Sequence, residues 1–365
     1  MNRRKFIKRA AVASGVTAVA TSNFPAPAIA QNRIDIAMVT TWPRDFPGLG
    51  TGAQRLAKNL ELMSGGRIHV DYYAAGERVK AFDSFDEVAS GNAQAYHAAD
   101  YYWKGKHKAF AFFGSVPFGL TVNEANTWID WGGGQELWDE LGAEFGVKCF
   151  KAGNNGVQMG GWFRKEINSA DDFKGLKMRI PGMGGDVLAK MGASPVSLPG
   201  SQIYENLVSG AIDATEWVGP WNDSFMKFYE AAKYYYWPGF HEPGTMESFG
   251  LNKAWWDKLS KSDQKMIEAA AALENQLLYS EYCWNNGSSM KKLIEEHGVQ
   301  LREFSDDIFD AAGEATAEVF EEYRADGGLT ARVLDSMLAS RKSVGSWMNT
   351  SEVPFIAQRN RVLDL

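Results

Sequence analysis

The sequence predicts an α/β protein of two domains with a helical C-terminal region. Three observations carry this. The chain has 365 residues, 45% of them hydrophobic, which is enough for two cores. Two separate stretches alternate strand-like and helix-like patterns. From Ser260 onward the pattern is mainly helical.

The first alternating set opens with "IDIAMV" (34–39), read as a strand. Leu56, Leu60 and Met63 recur at helical spacing and end at Gly65-Gly66. "RIHVDYY" reads as a second strand, Phe82 to Val88 as a helix, and "AQAYHA" as a third strand. The second set starts near Cys149, with "KCFKAG" and "VQMGGWFRKE" as strands. "LKMRI" (176–180) is a strand stopped by Pro181-Gly182, and a helix follows over 185–191. "SPVSL", the helix "SQIYENLVSG" and the strand "AIDATEWV" complete a compact unit. "KYYYWPGF" and "MESFGLN" are strands leading back to the first unit. Ser260 with Asp263 resembles a capping box before a long helix bearing Ile267, Ala270, Leu273 and Leu277. Ser305 caps another helix, broken at Gly327-Gly328, and 329–347 is helical again.

Residues 1–30 read as a cleaved export leader. A basic segment with Arg3 and Arg4 precedes a short apolar run and "AIA". The arginine pair resembles a twin-arginine signal, and the apolar run is too short to anchor a membrane span. The leader holds five basic residues and no acids, so removing it takes the net charge from −7 to −12. Such an acidic protein is not a nucleic-acid binder. An anionic ligand would need a local cation, because the global field repels it. Cys149 and Cys283 are expected to be buried and unbridged.

Enzyme signatures are missing. None of the five histidines stands in H-E-x-x-H or a close Cys/His set, which excludes a zinc enzyme of that kind. No G-x-S-x-G elbow or phosphate-binding P-loop occurs. "PGMGGDV" is read as a turn; its alternative is an anion site at a helix N-terminus.

A different constellation stands out. Gln158 opens "VQMGGWF", Arg179 ends "LKMRI", Glu216 and Trp217 end "AIDATEW", and Glu242 follows "YYYWPGFH". Open α/β sheets bind ligands at strand ends. Arg179 and Glu216 could instead form a structural salt bridge, since buried charges are paired. Two carboxylates against one arginine leave a negative surplus suited to a metal ion, with Arg179 free for a ligand carboxylate.

"GLKMRIPGMGGDVLAKMGASPVSLPGSQIYENLVSGAIDATEWVGPWND" resembles the periplasmic solute-binding subunits of tripartite ATP-independent (TRAP) transporters, the DctP-type family. "NNGVQMGGWFRKEI", "DATEWVGPWND" and "KYYYWPGFHEPG" look like the branch that binds 2-oxo monocarboxylates such as pyruvate. The resemblance implies a two-lobed periplasmic binding-protein fold with a hinge and a long C-terminal helix. The implied lobes are 31–153 with 243–300, and 154–242. The region 301–365 would brace the lobes or a homodimer. Arg179 matches the family's carboxylate-binding arginine, able to grip two oxygens in a fork, and Gln158 a ligand-contacting glutamine. Glu216, the Trp217 main-chain carbonyl and Glu242 match metal ligands. The implied ion is sodium, with calcium as the alternative. Implied partners are the organic acid and the membrane permease subunits, in the periplasm.

This assignment is chemically coherent. A cation between two glutamates can chelate the carboxylate and the adjacent carbonyl of a 2-oxo acid. Binding at micromolar strength needs about 8 kcal/mol. One charge-assisted hydrogen bond supplies about 1.5–3 kcal/mol, so Arg179 cannot act alone. Tyr101, Tyr102, Trp103, Trp162 and Trp221 are candidates for an apolar wall, with the core as their alternative location. The competing readings are a receptor for lactate or another organic acid, and an exported metal-assisted enzyme acting on a small acid.

Overall fold

The computed structural model describes residues 33–364. The proposed export leader therefore lies outside the described residues. Strand β1 (Ile34–Thr40) pairs in parallel with β2 (Ile68–Tyr73) and β3 (Ala95–Ala98). Helices α1 (Leu49–Met63) and α2 (Ser84–Ala89) make the two connections. After α3 (Val122–Trp131) and α4 (Gly134–Glu144), strand β4 (Val147–Asn154) joins the same sheet at its far edge. The α1 apolar face buries Leu56 and Leu60, while Met63 at its end is 44% exposed.

The chain then leaves for a second sheet. This contains β5 (Gly161–Phe163), β6 (Lys177–Arg179), β7 (Ser194–Val196), β8 (Ala214–Thr215) and β9 (Tyr234–Trp237). Helices α5 (Gly182–Lys190), α6 (Gly200–Ser209) and α7 (Pro220–Phe225) lie between them. Strand β10 (Met246–Asn252) returns to the first sheet, antiparallel between β3 and β4. After α8 (Lys253–Trp256) and α9 (Lys261–Glu295), β11 (Gln300–Glu303) adds to the second sheet beside β9. The sheet orders are β2-β1-β3-β10-β4 and β11-β9-β5-β8-β6-β7. The fold is thus α/β with two sheets, as the alternating patterns predict.

Several elements differ from the sequence reading. "VQMGGWFRKE" and "AIDATEWV" form strands of only three and two residues. Gln158 therefore lies in the crossing segment between sheets and not in a strand, and Glu216 and Trp217 lie just past β8. "PGMGGDV" is not a turn but the opening of α5, whose first residue, Gly182, has φ +63°. Cys149 is buried, whereas Cys283 is exposed, and neither is bridged.

Helix α9 is 35 residues long, about 50 Å at 1.5 Å per residue. Ser260 Oγ accepts from the Asp263 amide (3.1 Å) and donates to the Asp263 carboxylate (2.6 Å), which starts the helix as its sequence predicts. Its buried face carries Ile267, Ala270, Ala271, Glu274 and Leu278, while Leu273 and Leu277 point outward. A buried glutamate displaces the expected leucines because Arg55 of α1 binds both Glu274 oxygens. The helix packs on β4, α1 and α7, with Tyr282 meeting both α1 and α7, so it bridges both halves. Helix α10 (Asp306–Ala325) covers α5, and α11 (Gly328–Met348) covers α3 and α4. Helix α12 (Glu352–Leu363) has no buried residue.

Two extended segments cross between the sheets, 155–160 and 238–245, and they run side by side. The Gln158 amide donates to Glu242 O (3.0 Å), Gly239 N to Gln158 O (3.0 Å) and Asn155 N to Thr245 O (3.3 Å). A Cβ at Gly239 would stand 2.8 Å from the Gln158 and Met159 carbonyls, so this close approach requires glycine. These crossings carry Gln158 and Glu242, which places two predicted site residues at the junction of the halves.

Candidate functional site

Arg179 ends β6 and is 1% exposed. Its Nε donates to Leu198 O (3.1 Å), and its Nη1 donates to Glu216 O (3.2 Å) and to Glu216 Oε1. The neighbouring strand β8 runs parallel to β6, and this register puts Glu216, just past its end, beside Arg179. The guanidinium carbon lies 5.1 Å from the centroid of the Trp217 ring. Burial pulls the guanidinium pKa down, but Glu216 and the Tyr102 and Tyr101 phenols outweigh it, so Arg179 is raised and stays charged. The structure joins Arg179 and Glu216, which the sequence reading finally assigned to separate partners.

Glu242 lies on the second crossing segment, 3% exposed. Its Oε2 accepts from Gln158 Nε2 (2.8 Å) and from the Thr245 hydroxyl. Gln158 Nε2 also reaches Thr245 Oγ1 (3.1 Å). Burial, and then the Glu216 carboxylate, push Glu242 well above the usual carboxylate range. Two buried acids near one arginine are in tension, and a cation would relieve it.

His241 is the residue that sequence reasoning missed. Its Nε2 lies 3.5 Å from Glu216 Oε2 without forming a hydrogen bond. Atoms of Glu216, His241 and Glu242 lie within 4.8 Å of one another. The only signal in the sequence was its place immediately before Glu242, because no metal motif includes it.

Buried polar atoms are nearly always hydrogen-bonded. Here Gln158 Oε1, Arg179 Nη2, Glu216 Oε2, Trp217 Nε1 and His241 Nε2 are buried without a partner. The Trp217 carbonyl has no hydrogen-bond donor among the described residues. The clustered Glu216 and Glu242 carboxylates are an oxygen-rich pair whose chemistry fits a hard cation such as sodium or calcium. Arg179 Nη2 is the one cationic donor among these unpartnered atoms.

The aromatic candidates divide. Tyr101 packs against Tyr102 and the Gly182 end of α5, and Tyr102 against Phe82 and Trp42. Burial first raises both phenols, and Glu242, Glu216 and Glu247 raise them further. Trp103 is in the core with Phe85 and Tyr96, and its Nε1 donates to Phe82 O. Trp162 stacks on Tyr235 at 4.0 Å and donates to Asp223. Trp221 packs on Tyr282. A cleft of about 470 Å³, lined by Thr41, Pro43, Phe82, Pro199, Gly200 and Gln202, opens beside the site. Phe82 touches Tyr102 (ring centroids 4.7 Å apart), and Gly200 lies against the Trp217 ring.

Residues 38–326 match the family model described as bacterial extracellular solute-binding protein, family 7. A monocarboxylate 2-oxoacid-binding periplasmic protein of a Nostoc species is 36% identical over 358 residues, covering 97% of this chain and 98% of that one. A TRAP periplasmic solute-binding protein from Pseudoalteromonas atlantica, solved with bound sodium and pyruvate, is 39% identical. It superposes with a TM-score of 0.86 over 89% of this chain and 99% of its own. The corresponding protein from Colwellia psychrerythraea, solved with calcium and pyruvate, is 38% identical, with a TM-score of 0.87 and the same coverage. With its two-sheet fold, its bridging helix and a matched span of most of its length, this chain belongs to the family 7 bacterial extracellular solute-binding proteins, the DctP-type receptors of TRAP transporters.

Proposed function

We propose that this protein is a periplasmic receptor that captures a small 2-oxo monocarboxylate, pyruvate or a close relative, and delivers it to TRAP permease subunits in the membrane. The observation that carries the reading is the set of unpartnered buried atoms around Arg179, Glu216 and Glu242. The Nostoc relative's name and the pyruvate bound in the two solved relatives agree with it. Arg179 Nη2 takes a ligand carboxylate, and Gln158 contacts the ligand beside it. Glu216, the Trp217 carbonyl and Glu242 hold a metal ion, sodium by preference and calcium as the alternative, with His241 beside them. A bound ion would supply positive charge for the ligand's carboxylate and keto oxygens and would offset the two buried carboxylates. Tyr101 and Tyr102 form the wall.

The lobes 31–153 with 243–300, and 154–242, close on the ligand by bending the two crossing segments. Region 301–365 braces both and supplies a dimer contact through α12, which exposes Val353, Phe355, Ile356, Val362 and Leu363. Export uses the twin-arginine leader 1–30. In this reading the protein binds its ligand without turnover. Tryptophan-fluorescence titration with pyruvate, in sodium, in calcium and after chelation, tests the reading. Saturable binding that needs the ion and leaves pyruvate unchanged is expected. Absence of binding in both ions, or consumption of pyruvate, sinks it.

A further inference from the structure

Phe46 makes a contact between the halves that the reading above does not use. It lies in the loop 41–48, which joins β1 of the first sheet to α1. The loop turns tightly. Phe46 N donates to Pro43 O (3.3 Å), and Asp45 stands at φ +56°, in the left-handed region that Asp enters more readily than most residues. Phe46 is 2% exposed, and its ring meets two rings of the other half edge-on. Trp217, just past β8, has its centroid 6.1 Å away, and Phe225, at the end of α7, 5.3 Å away. The next residue adds a polar contact. Pro47 O accepts from Asn222 Nδ2 (2.8 Å), and the fully buried Asn222 accepts at Oδ1 from the Tyr282 hydroxyl of α9 (2.7 Å).

Trp217 carries this contact to the site. Its ring is 5% exposed and is packed by three neighbours. Phe46 meets it at an interplanar angle of 90°, the Arg179 guanidinium carbon lies 5.1 Å from its centroid, and a Cβ at Gly200 would stand 2.5 Å from it. Bending the crossing segments to part the halves would pull Phe46 off Trp217 and Phe225 and wet all three rings, so the contact belongs to the closed arrangement. We infer that Phe46 is a positioning residue of this receptor: it docks on Trp217 as the halves close, and it sets how long the bound acid is held. The inference rests on the receptor reading above. A contact made only in the closed form stabilises that form alone, so it acts on release and not on encounter.

The test is stopped-flow tryptophan fluorescence of the full mature protein with pyruvate, in sodium and in calcium, reading association and release separately. Phe46→Ala should release pyruvate at least about fivefold faster and associate within about threefold of wild type. Leu60→Ala is the control. It removes a buried side chain of the same half at the far end of α1, so it should lower the melting temperature and leave release within about twofold of wild type. Should Phe46→Ala fail to fold, Phe225→Ala, at a position 60% exposed, is read in the same way with release at least about threefold faster. A smaller acceleration overturns the inference, as does an affinity loss carried by association alone. Equal acceleration in Leu60→Ala shows a merely structural effect and also overturns it. No pyruvate binding by wild type removes the 2-oxo acid reading and the role of Phe46 with it, whereas wild-type binding with release unchanged in the variant removes the role of Phe46 alone.

Discussion

Arg179 and Glu216 are bound to each other, yet each keeps one buried atom without a partner. Arg179 Nη1 donates to Glu216 Oε1, and Nη2 and Oε2 remain free. A closed, structural ion pair would use both faces. This half-used pair leaves one cationic and one anionic atom buried and unsatisfied, the two contacts that the proposed ligand and metal ion would take up.

Replacing Arg179 with lysine tests the cationic half. A lysine ammonium cannot hold Leu198 O, Glu216 and a ligand carboxylate in one plane. Pyruvate affinity should fall at least tenfold, about 1.4 kcal/mol, with the fold retained. Near-wild-type affinity by tryptophan fluorescence would remove Arg179 from the ligand site. Arg179→Ala should abolish binding, and it should also lower stability because it leaves Glu216 buried and unpaired.

Glu216→Gln tests the anionic half. Its amide oxygen can still accept from Arg179, so the local fold persists. The variant should bind pyruvate at least tenfold more weakly and lose its response to sodium or calcium. An ion dependence equal to wild type in the same titration would place the cation elsewhere.

Stability should fall as pH rises from about 5 to about 8. Burial pushes Asp223 up to about 7, against hydrogen bonds from Tyr235 and Trp162. Burial likewise raises Glu274 to about 7, against Arg55. Both carboxyls bind protons more tightly folded than unfolded, so their stabilisation is full below the unfolded values of 3.8 and 4.5 and is lost through the folded ones. Glu77, lowered to about 2 mainly by its hydrogen bond from Arg44, acts the opposite way in more acid solution, and His97, lowered to about 4 by burial, opposes the drop up to its unfolded value of 6.5, one imidazole against several raised carboxyls. Scanning calorimetry of the ligand-free protein should show the melting temperature dropping across this window, and Asp223→Asn should flatten the drop. A melting temperature that climbs from pH 5 to 8 contradicts these environments.

Lys104 joins the two halves, donating from Nζ to Gly182 O and to Asp186, both at 2.6 Å. The pair is partly exposed, so its worth is modest, under about 1 kcal/mol. Lys104→Met should speed ligand release two- to fivefold in stopped-flow measurements and leave the ion requirement intact. Unchanged release rates would show that the contact does not restrain opening.

Deleting 352–365 should convert a dimer to a monomer in light scattering while pyruvate binding stays within threefold. A dimer that persists would move the contact off α12.

Much of the fold was legible because its signals are local. Period-two and helical spacings, the Ser260–Asp263 cap and the Gly327-Gly328 break each involve residues close in sequence, and each element appears where they placed it. The strands at the site were overestimated. Past Thr215 and before Gly161 the chain leaves its sheet to cross or to meet the site, so apolar residues there are buried without being strand. His241 was not legible, because only the adjacency of the crossing segment to β8 brings its ring to Glu216.

The sequence by itself determined the α/β alternation, the long helix and the acidic balance, and it proposed the set Gln158, Arg179, Glu216, Trp217 and Glu242 as a site. Tertiary structure alone decided what those residues do to one another. Arg179 and Glu216 are 37 positions apart, and the parallel register of β6 with β8 makes them partners. Gln158 and Glu242 are 84 apart and meet because two crossing segments hydrogen-bond side by side. Side-chain spacing encodes which face of an element is apolar, but pairing across such separations depends on sheet order and register, which exist only once the chain has packed.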